Sequence, residues 1–390
     1  MNRFDIFFSR ELDKRAKEDL KRELPTFEII DSLHIKNKGK SYINFSSNDY
    51  LGLSNNANLK IKGEEFLRQY GTGSGASRLI TSNASYYGKI EDKLANFLGT
   101  EAALIFPSGW QANVGVVASL IENFPKPVWV FTDKLNHASL HYGCKAGQVK
   151  QIRFSHNDLD HLQTRLKKIE GEKGSRIILT ETIFSMDGDV CDLKRLRSVA
   201  DQFNAFLFLD DAHATGIFGS KGEGLAPAFA DLTMGTFSKA WGSFGAYIAG
   251  SRDLCEWLVN FCSAFIHTTA LPAAVIGSIE AALELMPSLT NQRAFLVKQS
   301  EKVRKQLESM GYQCGQSISH IIPIIVGSPI KAQLMANALK EKNIWITPIR
   351  PPTVPSYGSR LRLTLSAGHR EDEIEYLLKS FHSIDLISIH

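Results

Sequence analysis

Cysteine is scarce in this chain, and what there is forms no pattern. Five cysteines (Cys144, Cys191, Cys255, Cys262 and Cys314) are odd in number and scattered, and no Cys-x-x-Cys occurs. That argues against a disulfide framework and a structural zinc site, and the thiols read as reduced and structural. No apolar run approaches the about 20 residues of a membrane span. Residues 1–17 carry charges throughout and lack the apolar core of a secretory signal. Charge of one sign is missing too: 45 Lys and Arg against 41 Asp and Glu leave a net +4. No dense basic block interleaved with aromatics appears, so a nucleic-acid footprint is not indicated. No internal repeat or low-complexity stretch stands out. The cytoplasm is the expected compartment.

What is present is ordinary for a globular protein: 390 residues, 43% hydrophobic and 22% charged, with room for more than one domain. Residues 8–23 are rich in Lys, Arg and Glu, with Leu12, Ala16 and Leu20 four apart. That spacing predicts an arm helix with one thin apolar stripe, lying on another surface and ended by Pro25. A short strand is expected over 42–45 and a loop over 46–53. The glycines of Tyr70-Gly71-Thr72-Gly73-Ser74-Gly75 mark a flexible or tightly turning backbone. They lack the preceding apolar strand and the spacing of a dinucleotide fingerprint.

From there strands and helices alternate. The pattern reads as helix 86–98 closed by Gly99, strand 102–106, helix 109–121 and strand 128–132. A helix capped by Asn157 runs to about 168, then come strand 176–181, a helix capped by Asp192 to 203, and strand 205–210. This predicts an α/β fold with a mostly parallel central sheet and helices on both faces. Long helices at 271–285 and 292–310, followed by mixed elements, predict a smaller α+β domain. The expected domains are an arm helix with a short strand at 1–45, a large domain at 46–285 and a small C-terminal one at 286–390.

Ligands of such a sheet sit beyond the carboxyl ends of its strands. Polar residues gather there: Ser108 and Gly109, residues 133–137, Ser185, Asp210 and His213 each follow a predicted strand. The centre is Phe206-Leu207-Phe208-Leu209, then Asp210-Asp211-Ala212-His213, then Thr236-Phe237-Ser238-Lys239 between Gly235 and Gly242. A lysine amine condenses with an aldehyde, a carboxylate holds a pyridinium proton, and a hydroxyl with backbone amides holds a phosphate. Those are the demands of pyridoxal 5'-phosphate (PLP), with Lys239 as the Schiff-base lysine. Asp210 or Asp211 alone would pass for a strand-end acid capping a turn. Asp210 and His213, three apart, are placed to point into one crevice, where an ionised carboxylate keeps the pyridine protonated.

His137 and His141 are spaced i, i+4, but the glutamate of a zinc-protease helix and a third ligand are lacking. A ring lying over a planar cofactor is therefore expected of His137. The turn Met186-Asp187-Gly188-Asp189 fails as a calcium loop because its closing position is Ser198. Arg360 and Arg362 share one face of a strand; one is expected on a plain surface, the other forked onto a substrate carboxylate. Arg350-Pro351-Pro352-Thr353-Val354-Pro355 is expected to be a stiff, extended loop.

Several stretches together closely resemble the α-oxoamine synthases, PLP enzymes of the aspartate-aminotransferase fold (fold type I), from about Leu12 to His369. They are Asn44-Phe45-Ser46-Ser47-Asn48-Asp49-Tyr50-Leu51-Gly52-Leu53, Asn136-His137-Ala138-Ser139, Phe184-Ser185-Met186-Asp187-Gly188-Asp189 and Asp210-Asp211-Ala212-His213. The most discriminating is the proline loop followed by Arg360-Leu361-Arg362-Leu363-Thr364. The resemblance implies that Lys239 binds the cofactor covalently, Asp210 pairs with the pyridine nitrogen, and His213 and Ser185 bond the phenolic oxygen. It implies that His137 stacks on the ring and that Ser108, Gly109, Trp110 and Thr236 surround the phosphate. Arg362, with Asn48, would bind an amino-acid carboxylate, and Thr353 would line the acyl site.

A homodimer with active sites at the subunit interface is implied as well. Within the family, the branch serving biotin biosynthesis is the nearest in pattern. It joins L-alanine to a pimeloyl thioester, either pimeloyl-CoA or pimeloyl carrier protein, with loss of carbon dioxide. The alternatives are a sister synthase using glycine or serine with another acyl-CoA, a non-catalytic subunit of the same fold, and a nucleotide-binding oxidoreductase. Lys239 speaks against the non-catalytic subunit. The chain departs from the family at the arm, where relatives often carry arginine and Lys21 stands next to Arg22. Lysine keeps the charge but not the bidentate fork. Trp110 replaces a commoner tyrosine, and Ser238 stands where glycine is frequent.

Overall fold

Short apolar runs between Gly, Asn and Asp turns become the strands of three sheets. The computed structural model describes residues 2–384. Its strands in chain order are β1 (Glu28–Ile29), β2 (His34–Asn37), β3 (Lys40–Asn44), β4 (Ala102–Phe106), β5 (Val128–Asp133), β6 (Gln151–Phe154) and β7 (Ser175–Glu181). They continue with β8 (Ala205–Asp210), β9 (Leu232–Thr236), β10 (Ala246–Gly250), β11 (Ile321–Gly327), β12 (Ile344–Trp345), β13 (Pro348–Ile349) and β14 (Ser359–Thr364). The contacts divide the chain into two units. One draws on Met1–Asn48, Met186–Gly188 and Phe295–His390, the other on Asp49–Ser185 and Asp189–Ala294.

The second unit holds a seven-stranded sheet in the order β4-β10-β9-β8-β7-β5-β6. β10 runs antiparallel to both neighbours, and the remaining pairs are parallel. Strand alternation sorts the core onto two faces. Ile177, Leu179 and Phe208 join one cluster with Val116, Val117, Leu120 and Leu140. Ile178, Leu207 and Leu209 join another with Leu162, Leu166, Leu196 and Val199. Helices Gly109–Asn123 and Ala138–Ala146 therefore cover one face, and helices Leu159–Lys167 and Leu193–Gln202 the other. Each fully buried Leu, Ile or Phe contributes about 1.5–3 kcal/mol, so this double layer fixes the strand ends that carry polar residues.

Several boundaries shift by one to three residues, and two helix starts differ in their physical cause. The first helix is Arg3–Lys17, not 8–23, and none of its residues is buried. Asn2 and Asp5 form a capping box that starts it early, and Asp19 at φ 55° closes it well before Pro25. Asp158, not Asn157, caps helix Leu159–Lys167, its side chain accepting from His161 N at 2.8 Å. Asn157 is instead left-handed at φ 51° and donates its backbone N–H to Asp133 Oδ2 at 2.7 Å.

Next to it, His156 lies between two acids. Nδ1 is 3.2 Å from Asp133 Oδ1 and Nε2 is 2.9 Å from Asp189 Oδ2. Burial alone would depress this imidazole; the two carboxylates outweigh it and push the pKa up to about 10. The clip ties the end of β5 to the Asp189 turn.

The first unit contains a four-stranded sheet, β1-β2-β3-β12, and a three-stranded antiparallel one, β11-β14-β13. All six residues of β14 are buried. The expectation that Arg360 or Arg362 sits on a plain surface is therefore wrong: burial leaves both side chains inside, where each needs a polar partner. The proline loop holds a cis Pro351–Pro352 bond. Among the described residues all five cysteines are free and buried, and no single helix is long and apolar enough to cross a membrane.

Candidate active site

The sheet's central strands deliver two neighbouring acids to different duties. Asp210 ends β8, and Asp211 is the next residue. Asp211 is completely buried and faces protein: its carboxylate accepts from Thr182 Oγ1 at 2.6 Å and from the N–H groups of Leu225 and Ala226 at 3.1–3.2 Å. Burial still pushes its pKa up to about 8. It is a structural anchor for the 224–226 backbone. Asp210 faces a cavity of about 190 Å3 that Lys239, His213, His137, Glu181 and Thr236 also line. Its Oδ2 accepts from Asn113 Nδ2 at 2.7 Å and its Oδ1 from Ala212 N at 3.0 Å.

Lys239 follows β9 in a turn that glycine makes possible. Gly242 sits at φ +63°, and a Cβ there would lie 2.4 Å from the carbonyl carbon of Leu53. The turn thus packs against the 53–54 backbone and brings Lys239 Nζ to 2.9 Å from His213 Nε2. Tyr50 Oη lies 2.7 Å from the other ring nitrogen, Nδ1.

Above them is His137, which starts helix Ala138–Ala146. Its Nδ1 lies 2.7 Å from Ser139 Oγ, and its backbone N–H donates to Glu181 Oε1 at 2.5 Å. A face of this residue is exposed, yet desolvation lowers its pKa, outweighing the pull of Asp210, and keeps the ring neutral near pH 7. Glu181 stands beside Asp210 in the β7–β8 register. Its carboxyl is held well above the usual carboxylate range, first by desolvation and then by the Asp210 charge.

The opposite end of the cavity is the start of helix Gly109–Asn123. Ser108 caps it, accepting from Gln111 N at 3.2 Å, and the Gly109 and Trp110 N–H groups have no intrahelical acceptor. Thr236 Oγ1 donates to Gly245 O at 2.9 Å and accepts from Ser238 N at 3.1 Å; Ser238 Oγ donates to the same carbonyl at 3.1 Å.

The cavity thus gathers Gly109, Trp110, His137, Asp210, His213, Thr236 and Lys239. Ser185 reaches the group through its backbone, whose N–H donates to Glu181 Oε2 at 3.3 Å. The remaining expected residues lie in the other unit. Arg362 Nη1 donates to Asn48 Oδ1 at 2.9 Å. Arg22 Nη2 donates to Thr353 Oγ1 at 3.0 Å, whereas Lys21 presents its carbonyl to Arg350 Nη2 at 3.5 Å. Arg360 is tied to Asp187 Oδ1 at 2.6 Å and to the Met186 carbonyl. His141 pairs with Gln151 Oε1 at 2.7 Å, and no group of three His, Cys, Asp or Glu among the described residues is placed to hold a metal.

Four residues of the cavity region escaped the sequence reading. Asn113 bridges Asp210 and Ser139, donating to Ser139 Oγ at 2.9 Å; Ser139 in turn pairs with His137. A single row of bonds therefore braces the acid at one side of the cavity and the ring at the other. The clue to Asn113 was a lone amide among Ala112, Val116, Val117 and Leu120 on a buried helix face. Tyr50 and Ser139 lie in the family-like stretches with no role assigned to them, and Glu181 gives no local signal, because their partners are distant in sequence.

The donor set suits PLP. An amine would meet the aldehyde, a buried carboxylate the pyridine nitrogen and an imidazole the ring, and N–H groups without intrahelical acceptors at a helix start would meet the phosphate. Comparisons with known proteins point the same way. Residues 40–381 match the family described as aminotransferase class I and II. An 8-amino-7-oxononanoate synthase of Gluconacetobacter diazotrophicus is 47% identical over 386 residues, 97% of each chain. A serine palmitoyltransferase structure from S. paucimobilis with bound PLP–myriocin superposes with TM-score 0.91 at 25% identity, over 98% of each chain. The structure of 8-amino-7-oxononanoate synthase from Francisella tularensis gives TM-score 0.75 at 26% identity, over 87% of this chain and 97% of that one. The fold is fold type I, PLP is the cofactor, and the protein is an enzyme of the acyltransferase class. On this sequence match, coverage and cavity chemistry, the chain belongs to the 8-amino-7-oxononanoate synthase family within the class I and II aminotransferases.

Proposed function

We propose that the chain condenses L-alanine with a pimeloyl thioester, carried by CoA or by a carrier protein, releasing carbon dioxide and the thiol to give 8-amino-7-oxononanoate for biotin synthesis. The observation that carries this reading is the Lys239–His213 contact at 2.9 Å, in a cavity that Asp210 and His137 also line. It is supported by the 47% identity to a synthase of that name.

When bound, PLP supplies an electron sink for a carbanion at the amino acid's α-carbon. The protein supplies the rest. Lys239 would hold the aldehyde and, as a free amine, would be the base for the α-proton. Asp210 would pair with the pyridine nitrogen, and Asn113 holds its carboxylate in line. His213 and Ser185 would serve the phenolic oxygen, and His137 would lie against the ring. Ser108, Gly109, Trp110 and Thr236 would take the phosphate; the Thr236 hydroxyl, which donates to Gly245 O, would have to turn to do so. Arg362, steadied by Asn48, binds the amino-acid carboxylate through a charge-assisted fork. Arg22, beside Thr353, is the better candidate than Lys21 for the far carboxylate of the acyl chain. The enzyme works as a homodimer with active sites at the interface, in the cytoplasm, where five free cysteines stay reduced.

The test is direct. Purified protein loaded with PLP, given L-alanine and pimeloyl-CoA, yields carbon dioxide and the amino ketone. Lys239→Ala loses both turnover and the visible absorbance of the bound cofactor; turnover retained by that variant defeats the reading. A sister synthase is the second possibility, favoured by the higher TM-score to serine palmitoyltransferase, 0.91 against 0.75. Faster turnover of glycine or serine with another acyl-CoA would establish it.

A further inference from the structure

His213 is gripped at both ring nitrogens. Tyr50 Oη is 2.7 Å from Nδ1, and Lys239 Nζ is 2.9 Å from Nε2. Tyr50 is fully buried and His213 is 6% exposed, so these two partners, more than bulk water, set where the ring's proton sits. A neutral imidazole carries one proton, so one nitrogen donates while the other accepts. An ammonium has only protons to offer. Facing Lys239 in that form, Nε2 presents its lone pair, and the ring proton sits on Nδ1, directed at the Tyr50 oxygen. A phenol both donates and accepts. The same Tyr50, in the same place, therefore suits the opposite tautomer by turning its O–H toward a bare Nδ1.

The segment that carries Tyr50 is pinned. Asp49 accepts from Leu53 N at 2.8 Å and Ser54 N at 3.0 Å. Gly242 of the lysine turn packs on Leu53 itself. Tyr50 and Lys239 are thus held against each other across the ring of His213, and a proton can move without either anchor moving.

We propose that Tyr50 is a positioning residue that lets His213 exchange tautomers when PLP loads. Nε2 accepts from the Lys239 ammonium beforehand and donates to the phenolic oxygen of the cofactor afterwards. This rests on the reading above, in which His213 meets that oxygen. The protons balance. The ammonium passes one to Nε2, the Nδ1 proton leaves to solvent water, and the Tyr50 O–H turns to the bared Nδ1. One proton is released for each lysine converted to a free amine. The other charged or titratable groups around the same cavity are Asp210, Glu181 and His137.

The experiment uses the full chain labelled with 15N-histidine, first stripped of PLP and then reloaded. Long-range 1H–15N NMR reads which ring nitrogen holds the proton, and His213→Gln identifies the signal by its loss. The stripped chain should show Nδ1 protonated and Nε2 bare, and the loaded chain the reverse. One tautomer in both states overturns the proposal.

Tyr50→Phe keeps the shape and removes the hydroxyl. It should leave the melting curve near that of the parent. The pH midpoint of the bound cofactor's visible absorbance should shift by about half to one unit, about three- to tenfold in proton affinity. An unmoved midpoint overturns the proposal. If the variant fails to fold, the comparison of stripped and loaded parent still decides. If PLP gives no Lys239-dependent band, the functional reading fails by itself, and a stripped chain with Nε2 protonated rejects the present inference independently.

Discussion

Replacing His156 by Gln should destabilise the PLP-free protein, and by an amount that depends on pH. The imidazole contacts Asp133 and Asp189, whose side chains are 0% and 10% exposed. Its pKa rises from 6.5 to about 10 because the carboxylates outweigh burial. At 1.36 kcal/mol per unit that gap corresponds to roughly 5 kcal/mol. The ring is 20% exposed, and solvent screening reduces the figure to about 2–4 kcal/mol. Removing one partner of a buried ion pair costs about 3–5 kcal/mol in general, consistent with that range.

The sign follows from the direction of the shift. A raised imidazole pKa means that the folded state binds the proton more tightly, so the contribution is complete below pH 6.5 and is lost as pH rises through about 10. Parent and His156→Gln, unfolded by urea and followed by circular dichroism from about pH 6 to pH 10.5, should therefore differ most at the acid end. The gap should close toward the alkaline end. A gap that is absent at pH 6, or equally large at both ends, refutes the clip as an ion pair.

Three more perturbations probe the site. Asn113→Ala removes a donor to the Asp210 carboxylate at 2.7 Å; at about 1.5–3 kcal/mol for a charged hydrogen bond, PLP affinity measured by absorbance titration should fall about ten- to hundredfold. Gly242→Ala places a Cβ 2.4 Å from Leu53 at φ +63°, and should cost more than about 2 kcal/mol in melting experiments and lower PLP occupancy. Arg22→Ala should raise KM for the pimeloyl thioester about tenfold, leaving PLP affinity unchanged, and Lys21→Ala should do much less. The opposite ranking would move the acyl contact to Lys21.

Much of the sheet was legible because its strands are short apolar runs. β7 and β8 stand out by composition, and their ends locate Asp210. β9 and β10 did not stand out. Leu232-Thr233-Met234-Gly235-Thr236 contains a glycine where a strand former is expected, and only the fold explains it: a Cβ on Gly235 would strike the Tyr247 ring at 2.2 Å. The first helix was misplaced because a stripe of Leu12, Ala16 and Leu20 outweighed the Asn2 and Asp5 cap. Asn157 and Asp158 are adjacent and equally good caps, and the choice between them depended on Asp133 holding Asn157 in a left-handed turn. Lys239, Asp210 and His213 could be read from residue type and neighbourhood. Tyr50, Asn113 and Ser139 could not, because each acts through a partner that only tertiary packing supplies.

The lateral pairing of Glu181 with Asp210 makes the cavity floor a small proton reservoir. Desolvation and the neighbouring Asp210 charge both favour a proton on Glu181, at a pH where free side chains have long ionised. An arriving cation relieves that mutual repulsion and eases the release of the stored proton. Infrared spectroscopy would read this as a protonated-carboxyl stretch that fades when the cofactor is added. The protein's affinity for its cofactor should accordingly be coupled to proton release, through two side chains that neighbouring strands set side by side.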